Sequence, residues 1–271
     1  ALAAVCVLAV VLTIVIVVLA GRSQGPTEPA VPDVGESAGA WAKNENGFYF
    51  NDAGEVILAA TSKGIDVSKY QGQVDWEAAR AAGVEFAILR CGYGSEWNGE
   101  GEYNQDDETW EYNADECTRL GIPVGGYYYS CAVTAPQRDA ELALLHDALR
   151  GKRLQLPVAI DVEDARLRAL TPDALSALVA GAARQLEHWG LYAMVYTYTH
   201  FADTALHMDT LASFDLWLAD YRGKRPARRH GIWQYTSSGR VPGISGPVDL
   251  SRTEKDYPAL LHRAGLDRTI L

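Results

Sequence analysis

The chain has 271 residues, 48% of them hydrophobic and 22% charged, with a formal net charge of −11. That length holds one large core or two small ones. The acidic balance excludes the basic footprint that nucleic-acid binding requires.

Residues 1–20 form an uncharged run rich in Val, Leu and Ala. A membrane-spanning helix needs about 20 such residues, whereas a secretory signal has an apolar core of about 7–15. The length predicts a transmembrane anchor. Val18-Leu19-Ala20 before Gly21 offers the alternative, a signal-peptidase site. Residues 21–40 are rich in Gly, Pro, Ser and Glu and predict a disordered linker. Over 41–62, Phe48-Tyr-Phe and Val56-Ile-Leu flank the turn residues Asn51-Asp-Ala-Gly54, the pattern of a small β-hairpin leader.

From 63 to 271, strand and helix signals alternate. Gly64-Ile-Asp66-Val predicts a first strand, and Asp75 caps a helix that Gly83 stops. Val84 to Arg90 predicts a second strand, Trp110 to Leu120 a helix, and Ile122 to Tyr129 a third strand. Thr134 and Pro136 open a helix that closes at Gly151. Val158 to Val162, a β-branched run behind Pro157, predicts the fourth strand. Thr171-Pro-Asp173 starts a helix with Leu175, Leu178, Val179, Ala182, Leu186 and Trp189 on one face, and Gly190 ends it. Met194-Val-Tyr196 predicts a fifth strand, followed by a helix over 201–211. Strands at 216–219, 232–235 and 248–250 then come too close together for ordinary helices between them, and a short helical tail runs from Glu254 to Arg263. Repeated βα units predict a parallel sheet with helices outside it. Eight strands, five with helices, predict an irregular TIM-like α/β barrel of the (β/α)5(β)3 kind. An open doubly wound sheet is the alternative, but no GxGxxG follows a strand.

Cys91, Cys117 and Cys131 show no CxxC spacing and read as buried free thiols, with a Cys91–Cys131 bridge as the alternative. The six His residues lack paired spacing, so neither metal nor cofactor is expected.

In such a barrel the chemistry sits at the carboxyl ends of the strands. Asp161 and Glu163 follow each other at the end of the fourth strand. Side chains alternate along a strand, so both point the same way, roughly 6–7 Å apart along the backbone. Two carboxylates so close cannot both ionise cheaply, so one pKa should rise. A salt-bridged strand end explains the pair equally well. Asp66 and Asp249 end the first and eighth strands, which a closed barrel makes neighbours, with the fourth opposite. Arg90 either neutralises part of this charge or makes a surface salt bridge. Tyr127, Tyr128, Tyr129, Tyr196, Tyr198, Trp217, Tyr221, Trp233 and Tyr235 crowd the same ends, where aromatic faces can stack on sugar rings. Half of them should be core, because only one strand face meets the pocket. Gln234 is a candidate partner for a sugar amide or hydroxyl. Paired carboxylates with aromatics suggest glycoside hydrolysis; no GxSxG marks a serine hydrolase.

Specific motifs sharpen this. Lys63-Gly-Ile-Asp66-Val-Ser-Lys-Tyr70-Gln-Gly72, Val84-Glu-Phe-Ala-Ile-Leu-Arg90-Cys-Gly-Tyr-Gly94, Gly121-Ile-Pro-Val-Gly-Gly-Tyr127-Tyr-Tyr-Ser130, Asp161-Val-Glu163 and Ile232-Trp-Gln-Tyr-Thr-Ser-Ser-Gly239, then Val248-Asp249, stand in the order of family 25 glycoside hydrolases. Across 63–251 the chain resembles these Chalaropsis-type lysozymes. The resemblance implies cleavage of the β-1,4 bond between N-acetylmuramic acid and N-acetylglucosamine in peptidoglycan glycan strands, with net retention. By position Glu163 matches the general acid/base. Asp161 matches the carboxylate that steadies the substrate's own 2-acetamido group, and Asp66 and Asp249 match supporting acids. Tyr127, Tyr129, Tyr196, Trp217, Trp233, Gln234 and Arg90 are the expected substrate-binding residues. Glu163 is expected neutral at working pH and Asp161 charged. Two departures bear on substrate fit: Ser251 stands where the family commonly has Asn, and Asp220 where a neutral residue is usual. The expected protein is a monomer at the cell surface, held by the membrane helix or secreted if that helix is cleaved. A wall-binding module without catalysis, or a hydrolase of another N-acetylglucosamine polymer such as chitin, are the alternatives.

Overall fold

The computed structural model describes residues 49–50, 56–57, 62–94 and 105–270. The anchor expected over 1–20 and the linker over 21–40 lie outside them. No helix among the described residues is long and apolar enough to cross a membrane. Of the leader, β1 (Tyr49–Phe50) and β2 (Val56–Ile57) pair antiparallel, Tyr49 opposite Ile57 and Phe50 opposite Val56, as a hairpin requires.

The sheet that follows closes on itself. In chain order it comprises β3 (Ser62–Val67), β4 (Phe86–Tyr93), the short β5 (Gln105–Asp106), β6 (Val124–Tyr129), β7 (Val158–Asp161), β8 (Ala193–Tyr198), β9 (Asp215–Ala219), β10 (Ile232–Gly239) and β11 (Val248–Thr253). Neighbours run β3-β11-β10-β9-β8-β7-β6-β4, and β3 pairs with β4 to complete a ring of eight strands, with β5 attached outside to β4. The expected barrel is therefore present, and the open sheet is not. Pairing is parallel from β3 round to β10. β11 runs antiparallel to both β10 and β3, because the 239–248 connection is too short to carry the chain back past the barrel.

Five helices follow the first five barrel strands: α1 (Trp76–Ala81), α2 (Trp110–Leu120), α3 (Ala135–Leu149), α4 (Pro172–His188) and α5 (Thr199–Thr204). The caps read from the sequence form. Asp75, Thr134 and Thr171 side chains accept the amides of Ala78, Gln137 and Ala174, satisfying donors a helix start leaves open. The expected helix over 201–211 is corrected: α5 begins at Thr199 and stops after six residues. His207, Met208 and Asp209 instead carry turn bonds to Thr210, Leu211 and Ala212. The tail is α6 (Tyr257–Ala264).

Two apolar layers follow from strand alternation. Val158, Ile160 and Val162 pack outward with Leu145, Leu175 and Leu186 of the helices. Ala159 joins Phe86, Ile88, Met194, Trp217 and Ile232 inside the ring. Gly64 faces inward beneath Phe86, where an added Cβ would come within 2.4 Å of the ring. Cys91, Cys117 and Cys131 are buried free thiols, so the bridge considered for Cys91 and Cys131 is not formed.

Candidate active site

The inner face of the barrel becomes polar at the carboxyl ends of its strands. Because Ile65 and Val67 pack outward, Asp66 between them points in; because Val248 and Leu250 pack outward, so does Asp249. These two sit directly opposite each other in the β3–β11 pair. Burial, then the charge of Asp249, pushes Asp66 well above the carboxylate range. Burial lifts Asp249 to about 6.

Asp161 enters by the same alternation, from between Ile160 and Val162. The sheet continues one step past β7, the Val162 amide donating to the Tyr196 carbonyl, so Glu163 emerges on the same side as Asp161. Asp161 is buried and its Oδ1 has no hydrogen-bond partner among the described residues, while Glu163 is half-buried. Burial pushes Asp161 well up, helped by the charges of Glu163 and Asp66 and opposed by Arg90. Burial also raises Glu163, with Asp249 adding to it. The surroundings of Asp161 do not by themselves favour its charged form, because Arg90 alone acts against burial and the neighbouring acids. Next in the chain, Asp164 caps a 3-10 turn over 165–169, accepts from Arg166 and the Tyr129 hydroxyl, and is drawn down to about 2, so it stays ionised.

The remaining candidates divide by what their polar atoms already hold. Gln234 is buried, and its Nε2 donates to both oxygens of Asp66 at 3.0 Å. Its Oε1 accepts from Tyr196 at 2.9 Å and Tyr221 at 2.5 Å. It is therefore corrected from a sugar contact to the bracket of Asp66, its hydrogen-bonding capacity spent. Trp233 is corrected too. It packs in the outer layer, one residue and so one face away from Gln234, and its indole donates to the Asp220 carbonyl. Trp217 does face inward but forms the floor. It is 1% exposed, its indole donates to Ser251, and Tyr127 and Tyr196 meet it edge-on. Ser251 thereby has a role in the barrel interior. Tyr129 is half-buried and tied to Asp164; Tyr127 is half-buried above Trp217.

Arg90 lies within β4, not at its end, since the strand runs on to Tyr93. It is buried, donates to Asp107 at 2.7 Å, and lies against the rings of Tyr70 and Tyr93. The surface-bridge alternative is thus replaced by a buried pair next to the acids. Nothing in the sequence marks Asp107: it stands among other polar residues ahead of α2, and its carboxylate also takes the Thr109 hydroxyl and the amides of Thr109 and Lys69. Tyr70, 77% exposed over Arg90, and Tyr221, 51% exposed over Gln234, are the aromatic surfaces left open at the mouth. Glu163 borders a groove of about 400 Å3 whose walls include Tyr196, Tyr198, Asp220 and Tyr221. Asp220 is buried against Thr199 and Arg222, which hold its carboxyl below the usual range despite burial.

The arrangement offers two adjacent acids, one of them half-exposed beside a groove, and two more directly opposite each other on β3 and β11. Such a group suits general acid–base chemistry.

Comparison with known proteins agrees in extent. The family model for Glycosyl hydrolases family 25 matches residues 65–244. An autolytic lysozyme of Clostridium acetobutylicum is 32% identical over 190 residues, covering 69% of this chain and 54% of that protein. Lysozyme M1 of Streptomyces globisporus is 25% identical over 221 residues, covering 73% and 70%. Among solved structures, the modular autolysin LytC of Streptococcus pneumoniae superposes with a TM-score of 0.65 at 25% identity, covering 79% of this chain and 52% of that one. A bacterial lysozyme from Streptomyces coelicolor shares the fold, with a TM-score of 0.64 at 22% identity, covering 76% and 98%. The chain thus spans about half the length of the clostridial relative and of LytC.

Proposed function

The chain belongs to glycosyl hydrolases family 25, and from that premise we propose that it is a muramidase, cleaving the β-1,4 bond after N-acetylmuramic acid in peptidoglycan by substrate-assisted retention. The observation that carries this reading is the convergence of Asp66, Asp161, Glu163 and Asp249 on one barrel mouth, with Glu163 alone bordering the open groove. Glu163, whose pKa burial and the charge of Asp249 raise, donates its proton to the glycosidic oxygen. The substrate's acetamido oxygen attacks the anomeric carbon as the leaving sugar departs. Asp161 accepts the acetamido N–H through its unpartnered Oδ1 and faces the positive charge that develops on the cyclised group. That charge, together with the hydrogen bond, favours the ionised form that burial resists. Glu163, now a carboxylate, then takes a proton from water as it opens the ring, and the anomeric configuration is retained. Asp66, bracketed by Gln234, and Asp249 hold the acid pair's surroundings in register.

The test is release of reducing ends from purified cell walls. Glu163→Gln should lower kcat about 100-fold or more, the usual contribution of a positioned acid, while the first-formed sugar keeps the β configuration by NMR. Equal rates for the two proteins, or an inverted product, would sink the reading.

A further inference from the structure

The catalytic groove is not the largest hollow in the molecule. Beside it lies a cavity of about 640 Å3, and the two share Thr199, Asp203 and Arg222 as their common rim. Its origin is topological. α5 is only six residues long and β9 is followed by no helix, so loops over 205–214 and 220–231 cover the outer face of β8 and β9. Loops pack less closely than a helix against Val195, Leu216 and Leu218, and the hollow remains between them.

Its chemistry differs from that of the groove. Met208, Leu211, Phe214 and Pro226 supply an apolar wall, and Arg222, Arg228 and Arg229 line the rest. Arg228 is engaged by Asp203 at 2.5 Å. Arg222 is 73% exposed yet fixed: its Nε and Nη2 both donate to Asp220, itself anchored by the Thr199 hydroxyl at 2.7 Å. Its remaining Nη1 edge has no hydrogen bond among the described residues, and neither has the exposed Arg229. Of the wall acids, Asp215 holds Lys255 and Tyr257, which leaves Asp209 open. The cavity thus offers guanidinium groups, one carboxylate and an apolar wall; Arg222 stands at the rim shared with the groove, and Arg229 lies further down, near Tyr192 at the start of β8.

We propose that this cavity is the subsite for the peptide arm of the peptidoglycan strand, with Arg222 and Arg229 receiving its carboxylates, Asp209 an amino group and the apolar wall its alanine methyls. The proposal rests on the muramidase reading, because the arm is carried by the sugar that Glu163 and Asp161 act upon. A guanidinium held by a buried carboxylate loses little freedom on binding, which favours such a site. It also gives a use to Asp220: it sets the direction of Arg222.

The test compares glycan strands with their peptide arms against the same strands stripped of the arms by an amidase. The full-length protein should show a KM roughly tenfold lower for the arm-bearing strands, as one charged hydrogen bond supplies. Arg229→Glu, an exposed substitution, should shrink that ratio towards one, and Asp220→Asn, which frees Arg222, should shrink it in part. Equal KM values for both substrates with the unaltered protein, or variants that lose both substrates alike, overturn the subsite while leaving the muramidase reading intact. Failure of the unaltered protein to cleave either substrate overturns both.

Discussion

Asp249 is the residue whose titration is most open to measurement. Burial raises its pKa from an ordinary 3.8 to about 6 in the folded protein. Between those values the folded state binds more protons than the unfolded chain, so its contribution to stability is complete below pH 4 and is lost as pH rises through 6. Two pKa units correspond to at most about 3 kcal/mol. Asp249→Asn should therefore be more stable than the unaltered protein at pH 7, by up to that amount, and no different near pH 4. Urea denaturation at the two pH values checks this, and an equal difference at both would contradict it. The opposite sign holds at Asp164, drawn down to about 2 by Arg166 and the turn amide, whose stabilisation is lost as pH falls. The mouth therefore combines acids strained by burial with one held ionised, a common cost of placing catalysis in a packed barrel. Gln234 shows how narrow such placement is. Both its amide protons and its oxygen are committed, so the side chain that a sugar might have used is what keeps Asp66 aimed.

The first barrel strand depends on a residue without a side chain. Gly64 faces Phe86 across the β3–β4 pair, and Phe86 is fully buried in the ring's interior. A methyl group there would meet backbone-anchored ring atoms at 2.4 to 2.5 Å, too close to be absorbed by a small rotation. Gly64→Ala should cost about 1–3 kcal/mol and lower Tm by roughly 2–10 °C. Calorimetry showing an unchanged Tm would mean that Phe86 has room to leave. The strand after β7 carries a different lesson. Its hydrophobic alternation ends at Val162, yet one further amide bond to the Tyr196 carbonyl keeps the chain extended long enough to place Glu163 beside Asp161. The 3-10 turn that Asp164 caps then bends the chain away before a third side chain could crowd the pair.

Across the whole molecule, the decisive contact is between the two ends of the barrel. β11 inserts antiparallel between β10 and β3, and its pairing puts Asp249 opposite Asp66, 183 residues earlier in the chain by their numbers. Ending the chain at Pro247 would leave two strand edges bare and remove Asp249. Such a protein should show no sharp thermal unfolding transition and release no reducing ends from cell walls. A cooperative transition would show that seven strands suffice, with closure serving chemistry alone.

Local pattern in the sequence already determines much of this. β-branched runs between Pro and Gly, capping residues at Asp75, Thr134 and Thr171, and the three crowded strands after Tyr196 place nearly every element and its order. The four acids are legible for the same reason, since each stands at the end of an apolar run. A period of two states that neighbouring residues face opposite ways, but not which of them faces in. That choice needed the closed ring, which put Gln234 inside and Trp233 outside. Hydrogen-bond partners distant in sequence were equally beyond local pattern: Arg90 with Asp107, Trp217 with Ser251, and Gln234 with Asp66. So were the antiparallel sense of β11 and the cavity left where the outer ring lacks a helix. Pattern is a property of adjacent residues, whereas facing, pairing and empty space arise only when the eight strands meet.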